Sequence, residues 1–389
     1  MKELETLGYY EPGFFHLRLN TSSNILDLNN LFNSGQNKQL SSTFLHEYIH
    51  FLQEVTSTNG LLNGYFYIDL IKDINRKIRE SKNIKFKVPV EIDNEFNTKA
   101  KMELNEVYRG NYKLTSYAKY DFYEKETTEI IDKEGKSIKP TKFKIHYTDI
   151  QTREKKYFYF GHTCLKEQIA HSIQNAYAET EHPDIPYQIA EQIVNIEYPN
   201  FGGANYKFIV ALCDSSLMSF HPAQMFFNTI ERMKKENFSP KNCKEIYDFA
   251  FKATMLKGEI GEFTANSLFE KVIDDSIKQY HNALKSPIFL EIYDWLNHIL
   301  IQAKKLRLEN PDFLCNLLDS RGNLTDAFYD IFRKLGSPFF TNNKNEGGFV
   351  PPTNLNKKHS RPFQLLVFKE ILRVYFGEKS CSMINFCKL

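Results

Sequence analysis

The stretch SSTFLHEYIHFLQEV, Ser41 to Val55, carries His46, Glu47 and His50 in a His-Glu-x-x-His pattern. On a helix, residues four apart lie one above the other, so His46 and His50 can offer two imidazole nitrogens to one metal ion. Glu47 sits about 100° round the axis from His46, close enough to reach a water on that ion without ligating it. These are the parts hydrolysis requires. A metal brings the pKa of water towards neutrality, and a carboxylate takes its proton during attack. The expected ion is Zn2+. Phe44, Tyr48, Ile49, Leu52 and Val55 fall on one broad apolar side of the helix, with His46, Glu47 and His50 on the other. A helix so patterned buries its apolar side and turns the histidines into a cleft, with Ser41, Ser42 or Thr43 capping its start. A chance pair of histidines is the alternative, and the amphipathic setting weighs against it.

A structural zinc site is closed by four protein ligands, whereas a hydrolytic site has three and leaves a position for water. The metzincin pattern would require Gly at 53 and His at 56, where this chain has Gln53 and Thr56. Further along, GHTCLKEQIAHSIQNAY reads as a helix. Leu165, Ile169, Ala170, Ile173 and Ala176 pack on one side, and Cys164, Glu167, His171 and Gln174 form a separate stripe at spacings of three and four. With HEYIH and KEQIAH together, the chain resembles the thermolysin-like gluzincin metallopeptidases, in a bacterial-type form. The resemblance rests on two short motifs that cover a small part of the chain.

That resemblance implies His46 and His50 as ligands, Glu47 as general base and Glu167 as third ligand. The family usually has an acidic residue four beyond the ligand Glu, orienting a zinc histidine; here His171 stands there. His171 is expected to orient a ligand, to stabilise an oxyanion or to touch substrate. The stretch between His50 and Glu167 is also longer than in compact members. Glu54, Glu91, Glu95, Glu103 and Glu106 are rival carboxylates nearer in sequence. Glu54 lies on the same helix as the histidines, and three ligands on successive turns rarely converge on one tetrahedral ion. The others fall in a polar segment that resembles an exposed helix. For the oxyanion donor the resemblance implies a downstream Tyr or His. Tyr187 and His221 are favoured over His182 and His281, with Asp214 orienting His221. Each also has a plain structural reading: Tyr187 packing on a helix, His221 capping one. His298 lies in an apolar run and reads as a core or interface histidine. His16, by the same analogy, lies on the strand that flanks the cleft and pairs with extended substrate.

The elements that must hold these residues give an α+β, mainly helical fold: a zincin-like core with a small β-sheet or hairpin, and a large helical C-terminal half. Residues 1–180 are expected to form the metallopeptidase core. Within it, 82–160 form an insertion whose segments TKFKIHYTDI and KKYFYFG make a β-hairpin across QTRE. FFHLRLN and NILDLNNLF read as strands before the turn NSGQN. Residues 181–389 form helices, such as IPYQIAEQIVNIEY, PAQMFFNTIERMKKE and RPFQLLVFKEILRVYFG, that complete the cleft. The Gly/Pro/Asn-rich stretch LGSPFFTNNKNEGGFVPPTNLNKKHSRP reads as a long loop, a lid or a mobile segment.

Composition narrows the function classes. With 50 basic and 48 acidic residues the net charge is +2, which provides no general field for nucleic acid or for an anionic membrane. No stretch reaches the roughly 18 apolar residues of a membrane span, and the N-terminus lacks the pattern of a signal peptide. Six scattered cysteines suit free thiols in a reducing cytoplasm. Cys381 and Cys387 are poorly spaced for a zinc knuckle. The expectation is a cytoplasmic zinc peptidase acting on a restricted protein or peptide substrate, with an activating protein partner as a further expectation and no nucleic-acid or membrane partner. The alternative is a non-catalytic, zinc-stabilised helical interaction protein.

Overall fold

The computed structural model describes residues 7–25, 32, 38–80, 88–92, 98–201, 205–253, 256–258, 261–320, 322–355 and 362–380. Most of NILDLNNLF, all of NSGQN, Glu95, Cys381 and Cys387 lie outside these residues. The fold is α+β and mainly helical. Strands β1 (Gly8–Glu11) and β2 (His16–Leu19) form a hairpin. Helices α1 (Lys38–Thr56), α2 (Thr58–Glu80) and α3 (Lys99–Arg109) follow. Next comes an antiparallel sheet of β3 (Ala118–Thr127), β4 (Thr141–Asp149) and β5 (Lys155–Phe160). Beyond it the chain is helical: α4 (His162–Tyr177), α5 (Asp184–Tyr187), α6 (Ile189–Glu197), α7 (Tyr206–Ser216), α8 (Pro222–Glu236), α9 (Cys243–Ala253), α10 (Ala265–Leu284), α11 (Leu290–Glu309) and α12 (Asp326–Leu335). Strands β6 (Phe339–Thr341) and β7 (Gly347–Gly348) precede the last helix, α13 (Leu365–Tyr375). Among the described residues no helix is long and apolar enough to cross a membrane.

The hairpin across QTRE forms with Phe143 opposite Phe160 and Thr148 opposite Lys155. Along β4 the buried Phe143, Ile145 and Tyr147 alternate with Lys142, Lys144 and His146, the period-2 pattern of a sheet with one covered face. Its job is positional. β5 runs through Gly161 straight into α4, and there the backbone passes so close to Arg109 that a Cβ on Gly161 would lie 2.4 Å from the Arg109 carbonyl oxygen. Only glycine fits the crossing.

The long loop predicted after α12 is not a lid at its start. Phe340 pairs with Leu17 and Thr341 with Arg18 in parallel register, giving the sheet order β1-β2-β6-β7. The turn residues around this short strand hide it from a sequence pattern. The two expected lobes also share one core, which runs from Phe15 through Phe44, Tyr48, Leu165, Ile169, Trp295 and Leu314 to Leu365. Helix α1 is therefore buried nearly all round rather than on one side. Its start is at Lys38, so Ser41, Ser42 and Thr43 do not cap it. Their hydroxyls donate back to the carbonyls of Lys38 and Gln39 within the first turns.

The far end of α1 is clamped by a buried ion pair. The Arg307 guanidinium on α11 donates to both carboxylate oxygens of Asp214 on α7, at 2.5 and 3.0 Å, and to the Thr56 carbonyl at 2.8 Å. Tyr247 donates a third hydrogen bond to Asp214. Both charged side chains are fully buried. Removing one partner leaves the other charged and dry, so Arg307→Met should cost about 3–5 kcal/mol of stability. A urea titration checks this, with the midpoint falling and the slope unchanged. Arg307→Met with Asp214→Leu should regain much of the loss.

Candidate metal centre

Helix α1 presents His46, Glu47 and His50 to α4, which packs against it and carries Glu167. The His46 and His50 Nε2 atoms are 3.2 Å apart. Glu167 Oε2 lies 3.1 Å from His46 Nε2, and Oε1 lies 3.4 Å from His50 Nε2. Among the described residues this is the only group of His, Cys, Asp and Glu that converges closely enough to hold a metal. Four-coordinate zinc with ligand bonds of about 2.0–2.1 Å has ligand-to-ligand edges of roughly 3.3–3.4 Å, so the spacing fits such an ion.

The outer nitrogens explain which way the lone pairs face. Gln53 Nε2 donates to the Lys166 carbonyl at 3.0 Å, which fixes its amide and leaves Oε1 to accept from His50 Nδ1 at 2.9 Å. His46 Nδ1 meets Gln174 Oε1 at 2.9 Å. Each Nδ1 thus carries the hydrogen, and each Nε2 lone pair points at the other and at the carboxylate. Two imidazole lone pairs and a carboxylate repel one another unless a cation or protons lie among them. Burial pushes the Glu167 carboxyl up, but when protons on the His50 and His46 rings supply the positive charge, those rings outweigh it and hold the group below the ordinary carboxylate range.

Glu47 is buried beside this group, and the Tyr10 backbone N–H on β1 donates to it. Burial raises its pKa to about 7, with His46 lowering and Glu167 raising it further. A carboxyl poised there exchanges a proton with water at neutral pH. Glu54, one turn beyond His50, is not a ligand. Its carboxylate accepts from the Tyr10 hydroxyl and from Gly13 N at 2.6 Å, which ties the β1–β2 turn to α1. Glu91, Glu103 and Glu106 do not join the group either.

A ring cluster covers one side of His46. The His182 ring lies 6.2 Å from it and Tyr187 6.1 Å, with His182 and Tyr187 4.5 Å apart. His171 closes the cluster, 5.0 Å from His182 and 5.9 Å from Tyr187. His171 Nδ1 and His182 Nε2 are buried without a hydrogen-bond partner among the described residues. Burial lowers the pKa of His171 to about 3 and that of His182 to about 4, helped in both by His46, so both rings are neutral N–H donors. Burial, with the Glu167 and Glu47 charges, lifts the Tyr187 phenol above its ordinary range.

Other expected residues are elsewhere. His221 caps α8 through Nδ1, and its Nε2 meets the Thr141 carbonyl at 2.6 Å, so both nitrogens are committed to structure beside Tyr108 and Phe143. Asp214 does not orient it but serves the Arg307 clamp. His16 is pinned between Glu11 and Thr341, on a strand that lies inside the sheet. The strand that borders the centre is β1, through Tyr10. His281 packs on Tyr293, away from the cluster, and His298 is half-buried. Gln53 and Gln174 orient the two rings, a role that the motifs themselves do not mark. Gln174 stands in the Cys164–Glu167–His171 stripe, one turn past His171, and that spacing was the available signal.

Comparison with protein-family models, with curated proteins and with solved structures gave no match.

Zinc added to chelator-treated protein at about 100 times its dissociation constant should stabilise the fold by about 2.7 kcal/mol, seen as a melting temperature several degrees higher. His50→Ala and Glu167→Ala should each abolish that rise.

Proposed function

We propose that this chain is a zinc-dependent peptidase of the gluzincin kind, with a zincin-like core, in which His46, His50 and Glu167 hold the ion and Glu47 is the general base. The observation that carries this reading is the convergence of two Nε2 lone pairs and a carboxylate within 3.4 Å, with both outer nitrogens fixed by amides. Zinc held by His46, His50 and Glu167 would supply Lewis acidity, towards a peptide carbonyl and towards water at neutral pH. Glu47 accepts the proton of the attacking water and passes it to the leaving amine. The Tyr187 hydroxyl and the His182 ring, both protonated donors, face the same side and serve the developing oxyanion. Strand β1 ends the sheet among the described residues, and an extended peptide added beside it would lie against Glu47.

The substrate in this proposal is a restricted protein or peptide, met in the cytoplasm. Cys164, Cys213, Cys243 and Cys315 are all buried free thiols, which suits a reducing compartment. An activating protein partner is part of the proposal, because Glu47 and His46 are nearly closed off as the chain stands.

That same burial favours a second reading. The three ligands would staple α1 to α4, and the ion would serve folding in an interaction protein without turnover. Glu47→Gln separates the two. Metal content by mass spectrometry should match wild type, while cleavage of a mixed-sequence quenched peptide library should fall by at least about a hundredfold. Cleavage that survives in Glu47→Gln would overturn the peptidase mechanism, and zinc at full occupancy in Glu167→Ala would remove the third ligand.

A further inference from the structure

Helix α4 has another flank, turned about a quarter circle from Glu167, and it lines a cavity of about 640 Å3. Gln168, His171 and Ser172 make a buried floor, while Asn175 and Tyr206 stand exposed at the mouth. The floor is built rather than accidental. Gln168 Nε2 reaches Ser172 Oγ at 3.2 Å, and its Oε1 accepts from the Glu191 backbone N–H at 3.1 Å. That second bond sets where Glu191, on α6, stands in the wall.

Two charged side chains line the cavity. The Lys207 ammonium is already held by Asp319 at 2.7 Å. The Glu191 carboxylate has neither a hydrogen bond nor an ion pair among the described residues, although it is half-buried and burial raises its pKa. A carboxylate drawn out of water without a partner is unfavourable, and a cation arriving from outside relieves it. The remaining polar lining, amides and hydroxyls such as Gln188 and Thr180, suits the hydrogens of an ammonium or guanidinium. The cavity also adjoins the metal centre. His171 belongs both to its floor and to the ring cluster beside His46, and it is one helical turn, roughly 6 Å, from Glu167.

We propose that this cavity is a specificity pocket for a lysine or arginine side chain of the substrate, whose cation meets the Glu191 carboxylate. The assignment rests on the peptidase reading and gives it a substrate class: peptides with a basic residue near the scissile bond.

The test uses full-length, zinc-loaded Glu47→Gln protein, so that binding is read without turnover. Peptides of one sequence, differing only in Lys, Arg, norleucine or Glu at one scanned position, are titrated by calorimetry. At one position the Lys and Arg peptides should bind about tenfold more tightly than norleucine, the value of one charge-assisted contact. Adding Glu191→Gln should erase that ratio, and adding Gln188→Glu instead should enlarge it. The second variant decides the matter if the first melts early. A ratio that is absent throughout, or that survives Glu191→Gln and ignores Gln188→Glu, overturns the pocket. Hydrolysis by the wild type is scored separately. A clear Lys/norleucine ratio with no cleavage of any peptide sinks the peptidase reading and leaves a cation-recognising pocket. Cleavage indifferent to the basic residue sinks the pocket alone.

Discussion

The Arg307–Asp214 pair is the constraint on which the placement of the metal-facing helix depends. Helix α1 ends at Thr56, and its terminal carbonyl groups have no partner further along the helix. Arg307 accepts that burden by donating to the Thr56 carbonyl while its other nitrogens face Asp214. One guanidinium thereby fixes α1, α7 and α11 at a single point in the core. A hydrophobic contact at the same place would allow the helix to slide along its axis. Five donors in a rigid plane do not, because a shift of an ångström leaves a charge unpaired. The three-atom convergence on the other side of α1 requires that stiffness.

The orienting groups at the centre are amides. A metal histidine commonly gives its outer N–H to a carboxylate, which makes the ring a stronger donor. Here Gln174 and Gln53 accept instead, and position 171 is a histidine where the gluzincin pattern has an acid. Under the proposed reading, a divalent ion among two neutral imidazoles and one carboxylate keeps a net positive charge. Such a centre draws anionic character towards itself more strongly than one surrounded by further carboxylates. The neutral Tyr187, His182 and His171 rings add donors without adding charge.

Much of this arrangement could be read from the chain, and the reasons are local. His46 and His50 are four apart on one helix, and Glu167 lies in a stripe of spacings three and four, so helical geometry alone placed them on faces. What failed was whatever depends on neighbours. The apolar side of α1 was legible, but its burial on the histidine side comes from α4 and the ring cluster, which no period in residues 41–55 encodes. In the sequence Gln53 reads only as a mismatch to another zinc pattern, yet its amide orients His50. His221 carried a suggestive position before Pro222, and its capping role there leaves no nitrogen for chemistry.

The strand Phe339–Thr341 gives the molecule a clock. It is the parallel neighbour of His16–Leu19, yet it is translated more than 300 residues later. At ordinary synthesis rates the hairpin that carries Tyr10 emerges tens of seconds before that partner exists. Until then β2 has one open side and the Tyr10 contacts to Glu47 and Glu54 hang on an unfinished sheet. The helix that carries His46, Glu47 and His50 therefore takes its final place against β1 only after residues more than 300 positions further on have joined the sheet.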